Sequence, residues 1–148
     1  MSTIRSILDD KGWTIHSVNG DATVFDAVSK MCRSHIGALL VYDNGKPIGI
    51  VSERDIMRRV VLERRNPTVT SVAEIMTREL VFVLIDAAHE DAMELMIERS
   101  CRHLPVLDDG QVVGMVSMGD LVRWTNRNHE HEIQALHEYV SGAPPPLP

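Results

Sequence analysis

The 148-residue sequence specifies an α/β (α+β) fold of two pseudo-twofold-related repeats, each a small sheet packed with helices, and three observations lead there. Sliding the chain by 65 positions aligns residues 18–58 with 83–123 without a gap, and 15 of the 41 pairs are identical. Average residue usage predicts roughly two to four. Both copies carry the order helix, strand, strand, helix. Aromatic residues are only 4% of a chain that is 44% hydrophobic. The core is therefore built from Val, Ile, Leu, Met and Ala, which suits short buried strands against amphipathic helices.

Each element follows in order. A short strand near Val18 or Val83 opens each copy. Asp21 and Asp86 are expected to cap the next helix, whose apolar stripe is Val24, Ala27, Val28, Met31 and Cys32 in the first copy and Ala92, Met93, Met96 and Ile97 in the second. His89 replaces Val24 in the second copy and is expected to snorkel or face a cleft. Then come two apolar runs, Ala38 to Tyr42 and Pro47 to Val51, joined through Asp43, Asn44 and Gly45; the second copy has Leu104 to Leu107 and Val112 to Val116 around Asp108, Asp109 and Gly110. Both read as hairpins. Helical patterning resumes after Ser52 with Ile56, Val60 and Val61, and after Ser117 with Leu121 and Val122.

A unit of about 60 residues buries too little surface to be comfortably stable alone. The copies should therefore pack sheet against sheet and leave a cleft between them. The divisions read from the sequence are a first repeat with its N-terminal extension (1–66), a polar linker from Asn66 to Ser71, a second repeat (72–123), and a C-terminal helix with a proline-rich tail (124–148). In that last part, Ile133, Leu136 and Val140 share one helical face that could seal a dimer, and Pro144 to Pro148 reads as disordered.

Composition removes several functions. A net charge of −6 provides no basic surface for a phosphate backbone, so nucleic acid is not an expected partner. Cys32 and Cys101 read as buried free thiols rather than a disulfide or zinc set. Neither a signal-peptide stretch nor a membrane span is apparent, which points to the cytoplasm. His129, His131 and His137 invite a metal reading, but two residues two apart diverge on a helix, so a solvated face is the expectation. With no glycine-rich dinucleotide fingerprint, Walker loop or nucleophile elbow, an enzyme is the weakest reading.

Three stretches bear on function: Val72 to Thr77; Arg102, His103, Leu104, Pro105 and Val106; and a glycine, two apolar residues, a serine, two variable residues and an aspartate, present as Gly49 to Asp55 and again as Gly114 to Asp120. The chain from about Ile4 to Val122 resembles a tandem CBS-domain pair, or Bateman module, through the family's "V.DIMT" opening, its "R-H-L-P-V-V" strand and the repeated third motif. That resemblance implies a stand-alone sensor of AMP, ADP or ATP, with NAD or S-adenosylmethionine as further candidates and no required cofactor, pairing as a homodimer and signalling to an unidentified effector protein. It also implies that Asp55 and Asp120 accept hydrogen bonds from ribose hydroxyls, with Ser52 and Ser117 beside them.

Chemistry agrees with that assignment, because a carboxylate accepts two hydroxyl hydrogen bonds and a serine at a helix start lies among free N–H groups. The same Ser-x-x-Asp sequence is also a capping box, with no ligand needed. Arg102 and His103 align with Gly37 and Ala38, so the two sites should be unequal. In related modules this strand faces the ligand of the other repeat; Arg102 and His103 would then reach the phosphate of a nucleotide held at Asp55, while Gly37 and Ala38 would admit backbone contacts to one held at Asp120. For Arg102 the alternative is a solvated strand end, and for His103 a satisfied buried ring. Arg54 is a further phosphate candidate, or else a surface ion-pair partner of Glu53. Val18 and Val83 complete the candidate ligand-binding set. The competing function is a dimeric interaction module with empty clefts.

Overall fold

The computed structural model describes residues 2–141. The order is α1 (Ile4–Lys11), β1 (Ser17–Asn19), α2 (Val24–Ser34), β2 (Ala38–Asp43), β3 (Lys46–Ser52), α3 (Glu53–Ile56, running into a π-helical turn at Met57–Val61), α4 (Val72–Ile75), β4 (Val83–Leu84), α5 (His89–Arg99), β5 (His103–Asp108), β6 (Gln111–Ser117) and α6 (Met118–Ser141). Two three-stranded sheets, β1-β2-β3 and β4-β5-β6, have the same pairing. In each, the first strand is parallel to the second and the second antiparallel to the third, with Val18 opposite Val41 and Val83 opposite Val106.

The duplication extends to local conformation. Asn44 and Gly45 take φ 49 and 76, and Asp109 and Gly110 take 51 and 76. Two successive positive φ values make the turn that matches the twist of a hairpin. His35 and Ser100, one repeat apart, both end their helices in the left-handed conformation.

Several sequence expectations shift by a residue or a face. Thr23, not Asp21, caps α2: its hydroxyl accepts the Asp26 N–H at 3.1 Å. Ala88, not Asp86, stands at the start of α5 and offers no side-chain cap. A turn between strand and helix, closed by Ala22 N–H to Asn19 O and Ala87 N–H to Leu84 O, consumes the two aspartates before the helix begins. The linker carbonyls of Thr70 and Pro67 accept the first N–H groups of α2, so that segment is a fitted part of the first repeat. Cys32 is exposed and Cys101 half-buried, correcting the expectation of two buried thiols; Ile97 is 71% exposed, outside the α5 stripe. His89 is buried with Nδ1 3.4 Å from the Ser2 carbonyl, so it faces the N-terminal segment and no cleft.

The two cores are completed by exchange. Val72, Ile75 and Met76 of the α4 segment pack with Val24, Ala27, Leu39, Val41 and Val51 of the first repeat. Ile4, Ile7 and Leu8 of α1 pack with Val83, Ile85, Met96, Leu104 and Val116 of the second. Glycines in the third strands make room. A Cβ on Gly49 would meet Met76 Sδ at 2.6 Å and the Thr77 carbonyl at 2.8 Å, and one on Gly114 would meet both Leu8 methyls at 3.0 Å. The glycine of each repeated motif is thus a seat for an incoming helix.

The C-terminal helix is continuous with the second motif rather than a separate element beginning at Trp124. Arg127 pairs with Asp10 and fastens α6 to α1, while Ile133 and Leu136 lie 66% and 63% exposed. The side chains of His129, His131 and Val140, and the tail from Pro144 to Pro148, lie outside the described residues. No helix among the described residues is long and apolar enough to cross a membrane.

Candidate functional site

Both Ser-x-x-Asp motifs form the same local structure. Ser52 ends β3, and its N–H and hydroxyl donate to Asp55 Oδ2 at 2.9 and 3.1 Å, while the Asp55 N–H points back to the Ser52 hydroxyl at 3.4 Å. Ser117 ends β6, with its N–H 2.8 Å from Asp120 Oδ2 and the Asp120 N–H 3.1 Å from its hydroxyl. Each motif is therefore a reciprocal cap that holds its carboxylate rigidly at a strand-to-helix corner. Asp55 is buried, and the Asp120 side chain is only 10% exposed.

Capping leaves part of each carboxylate for other partners, and here the repeats diverge. Asp55 Oδ1 accepts the Thr77 hydroxyl at 2.8 Å, with the Arg59 guanidinium 4.0 Å away. Asp120 Oδ2 accepts the Lys11 ammonium at 2.8 Å, and Oδ1 accepts Arg123 Nη2 at 2.8 Å. Burial pushes the Asp120 carboxyl up, but the Lys11 ammonium and the Ser117 donors outweigh it and hold the group below its ordinary value.

The repeats meet at the strand starts. Ala38 faces Ser52 across β2 and β3, and His103 faces Ser117 across β5 and β6. Gly37, just before β2, lies where a Cβ would be 3.5 Å from His103 Cε1 and 3.1 Å from Glu53 Oε1. One imidazole thus spans from its own repeat to the other. Burial lowers its proton affinity, the carboxylates of Asp120 and Glu53 act against that, and Lys11 and Arg102 reinforce it.

The sequence-selected residues separate accordingly. Ser52, Asp55, Ser117, Asp120, Gly37 and His103 line the corners and the junction between repeats. Ala38 is buried at the start of β2. Arg102 is exposed, its carbonyl accepting the Met118 N–H at 2.8 Å, so its side chain is a solvated strand-end group that acts on His103 through its charge. Arg54 is exposed on α3 and makes no ion pair among the described residues, Glu53 included. Val83 belongs to the second core, and Val18 packs half-buried against the first.

Residues that sequence reading did not select for the site are Lys11, Thr77, Glu53, Arg59 and Arg123. Thr77 stood within the quoted "V.DIMT" stretch, which was the available signal for it. Lys11 had none: it precedes the aligned repeat and reaches Asp120 across 109 residues of chain.

Comparison with known proteins extends these features. A family model described as CBS domain matches residues 13–62 and 72–127. The chain is 37% identical over 153 residues to the mitochondrial CBS domain-containing protein CBSX3 of Arabidopsis thaliana, covering 95% of this chain and 73% of that one. Among solved structures it is similar to a putative signal-transduction protein with CBS domains from Burkholderia ambifaria, at 43% identity and a TM-score of 0.81, covering 84% and 93% of the two chains. A hexameric CBS-CP12 protein from bloom-forming cyanobacteria matches at 26% identity and a TM-score of 0.76, covering 95% and 86%.

Proposed function

The chain belongs to the CBS-domain family of regulatory modules, and from that premise we propose that it senses an adenosine ligand, AMP, ADP or ATP foremost, in the cleft between its repeats. NAD and S-adenosylmethionine are the further candidates. The observation that carries this reading is the pair of rigid, reciprocally capped carboxylates, Asp55 and Asp120, flanking a junction where His103 lies against Gly37 of the other repeat. The Ser52 and Thr77 hydroxyls around Asp55 are neutral rotors that can turn from the carboxylate to a ribose or phosphate oxygen. Lys11 and Arg102 supply positive charge beside His103, whose buried ring favours the neutral form. A ligand that bridges the repeats would favour the state in which they are closest, and so transmit its presence to a partner. The expected setting is cytoplasmic.

Calorimetric titration of the nucleotide-free protein with AMP, ADP, ATP, NAD and S-adenosylmethionine, with GTP as control, tests this reading. Asp55→Asn keeps the shape but weakens acceptance of ribose hydroxyls, and should weaken binding by about 10- to 100-fold with little change in melting temperature. Loss of the fold in that variant, or unchanged affinity, would leave Asp55 as a cap alone.

A second reading, a homodimeric interaction module, draws on one feature. The outer face of the first repeat holds an apolar groove of about 310 Å³ between α2 and the helical turns after α3, lined by Val24, Phe25, Val28, Val60, Val61 and Pro67. Phe25 and Val61 are 55% and 66% exposed there. A patch of that kind favours association. Sedimentation of the ligand-free protein with and without Val61→Glu would test whether this face joins copies.

A further inference from the structure

The two Ser-x-x-Asp corners are built alike but closed by different groups. In the first repeat, α4 ends after one turn, and the chain then forms a bridge to β3 in which the Thr77 N–H donates to the Ile50 carbonyl at 2.8 Å and the Thr77 hydroxyl to Asp55 at 2.8 Å. In the second repeat, α1 continues to Lys11, and no such bridge forms with β6 among the described residues. Instead the Lys11 ammonium donates to the Met115 carbonyl at 2.8 Å and to Asp120 Oδ2 at 2.8 Å. Met115 is the repeat partner of Ile50. One ammonium therefore replaces both the main-chain donor and the hydroxyl that Thr77 provides.

The exchange alters what a ligand must displace. At Asp55 the movable partners are hydroxyls, and a ribose hydroxyl replaces like with like. At Asp120 the movable partners are cations: Lys11 on one oxygen, with the Ser117 N–H beside it, and Arg123 on the other. Hydrogen bonds to either carboxylate are charge-assisted, but only Asp120 would lose a counter-charge, and a neutral ribose hydroxyl does not compensate a buried carboxylate for the lost ammonium. The two cations differ in hold. Arg123 is 68% exposed and, among the described residues, bonded only to Asp120, whereas Lys11 is 34% exposed and anchored at two points.

We infer that Lys11 is a built-in plug of the second cleft, which closes Asp120 to ribose and leaves each chain with one adenosine-ligand site, at Asp55. This rests on the reading of the two aspartates as ribose acceptors. It makes the end of α1 the element that sets binding stoichiometry.

The test is calorimetric titration with AMP of the wild-type chain, Lys11→Met, Lys11→Gln, Lys11→Arg and the double variant Lys11→Met/Asp55→Asn, each checked for a cooperative melt. The methionine and glutamine variants keep the stem without the charge, so a folding failure in one leaves the other to decide. The wild type and the arginine variant should bind one AMP per chain, the methionine or glutamine variant two, and the double variant one. A wild type that already binds two, or uncharged variants that still bind one AMP, weakened about 10- to 100-fold by Asp55→Asn, would overturn the plug while leaving the sensor reading intact. Absence of AMP binding in every protein, at millimolar ligand, would overturn both.

Discussion

The first and second repeats share a backbone plan down to matched hairpin turns and left-handed helix ends, yet they differ wherever a segment from the opposite part of the chain docks. The first repeat receives α4, a single turn followed by an extended bridge; the second receives α1, two turns long and ending in a lysine. The same Ser-x-x-Asp cap consequently sits in two electrostatic settings: Asp55 among hydroxyls with one distant arginine, and Asp120 between two cations. Duplication preserved the scaffold of the corner, while the docking segment determined its chemistry.

Changes that separate the two halves should show this most clearly in their cores. Leu8 is fully buried in the second core and Met76 is its counterpart in the first. Leu8→Ala and Met76→Ala should each cost about 2–5 kcal/mol. Hydrogen exchange should localise the first loss to β4, β5 and β6 and the second to β1, β2 and β3. Equal loosening of both sheets in either variant would mean that the repeats unfold as one unit.

The glycine seats sharpen the comparison. A methyl on Gly49 meets a main-chain carbonyl that has no freedom to retreat, whereas the atoms nearest to one on Gly114 all belong to the Leu8 side chain. Gly49→Ala should therefore cost about 2–3 kcal/mol and Gly114→Ala about 1 kcal/mol in urea denaturation. A reversed order would show that α1 is held more rigidly than α4.

A smaller difference lies at the helix starts. Thr23→Ala removes a cap and should cost about 1 kcal/mol, while Ala88→Ser adds the cap that α5 lacks and should gain about 0.5 kcal/mol, both read as shifts in the urea midpoint. A loss of stability in Ala88→Ser would show that the bridge between Thr3 and Ala88 leaves no room for the added hydroxyl.

The pH dependence should differ between repeats as well. His103 has its proton affinity lowered by burial, so the unfolded chain takes up a proton near pH 6.5 that the folded ring refuses. Its contribution to stability is full above that pH and falls as the pH drops toward the folded value. Asp120, held below its ordinary 3.8, keeps its contribution above that value and loses it as the pH falls through the folded one. The first repeat has Ala38 in place of His103, so His103→Gln should flatten the stability profile just below pH 6.5 and leave the acidic limb, while Asp120→Asn should do the reverse.

What the sequence by itself determined was local and repeated: the duplication, the strand and hairpin order, the helical stripes through Val24, Ala27 and Met31 or Ala92 and Met96, and the capped corners at Ser52 and Ser117. Each is a relation among residues a few positions apart, where periodicity and turn chemistry act directly. Local pattern misplaced the helix starts by two residues, because Asp21 and Asp86 are equally good turn and cap formers and only the observed turn selects between those roles. It also placed Cys32 and Ile97 inside, since a stripe shows which side of a helix is apolar but not how far the sheet beneath it extends. Only the tertiary structure decided that α1 seats on Gly114 and α4 on Gly49, that His103 lies against Gly37, and that Lys11 reaches Asp120. Those contacts join residues separated by tens of positions to more than a hundred, and they arise from which groove is open to which helix once both sheets have formed.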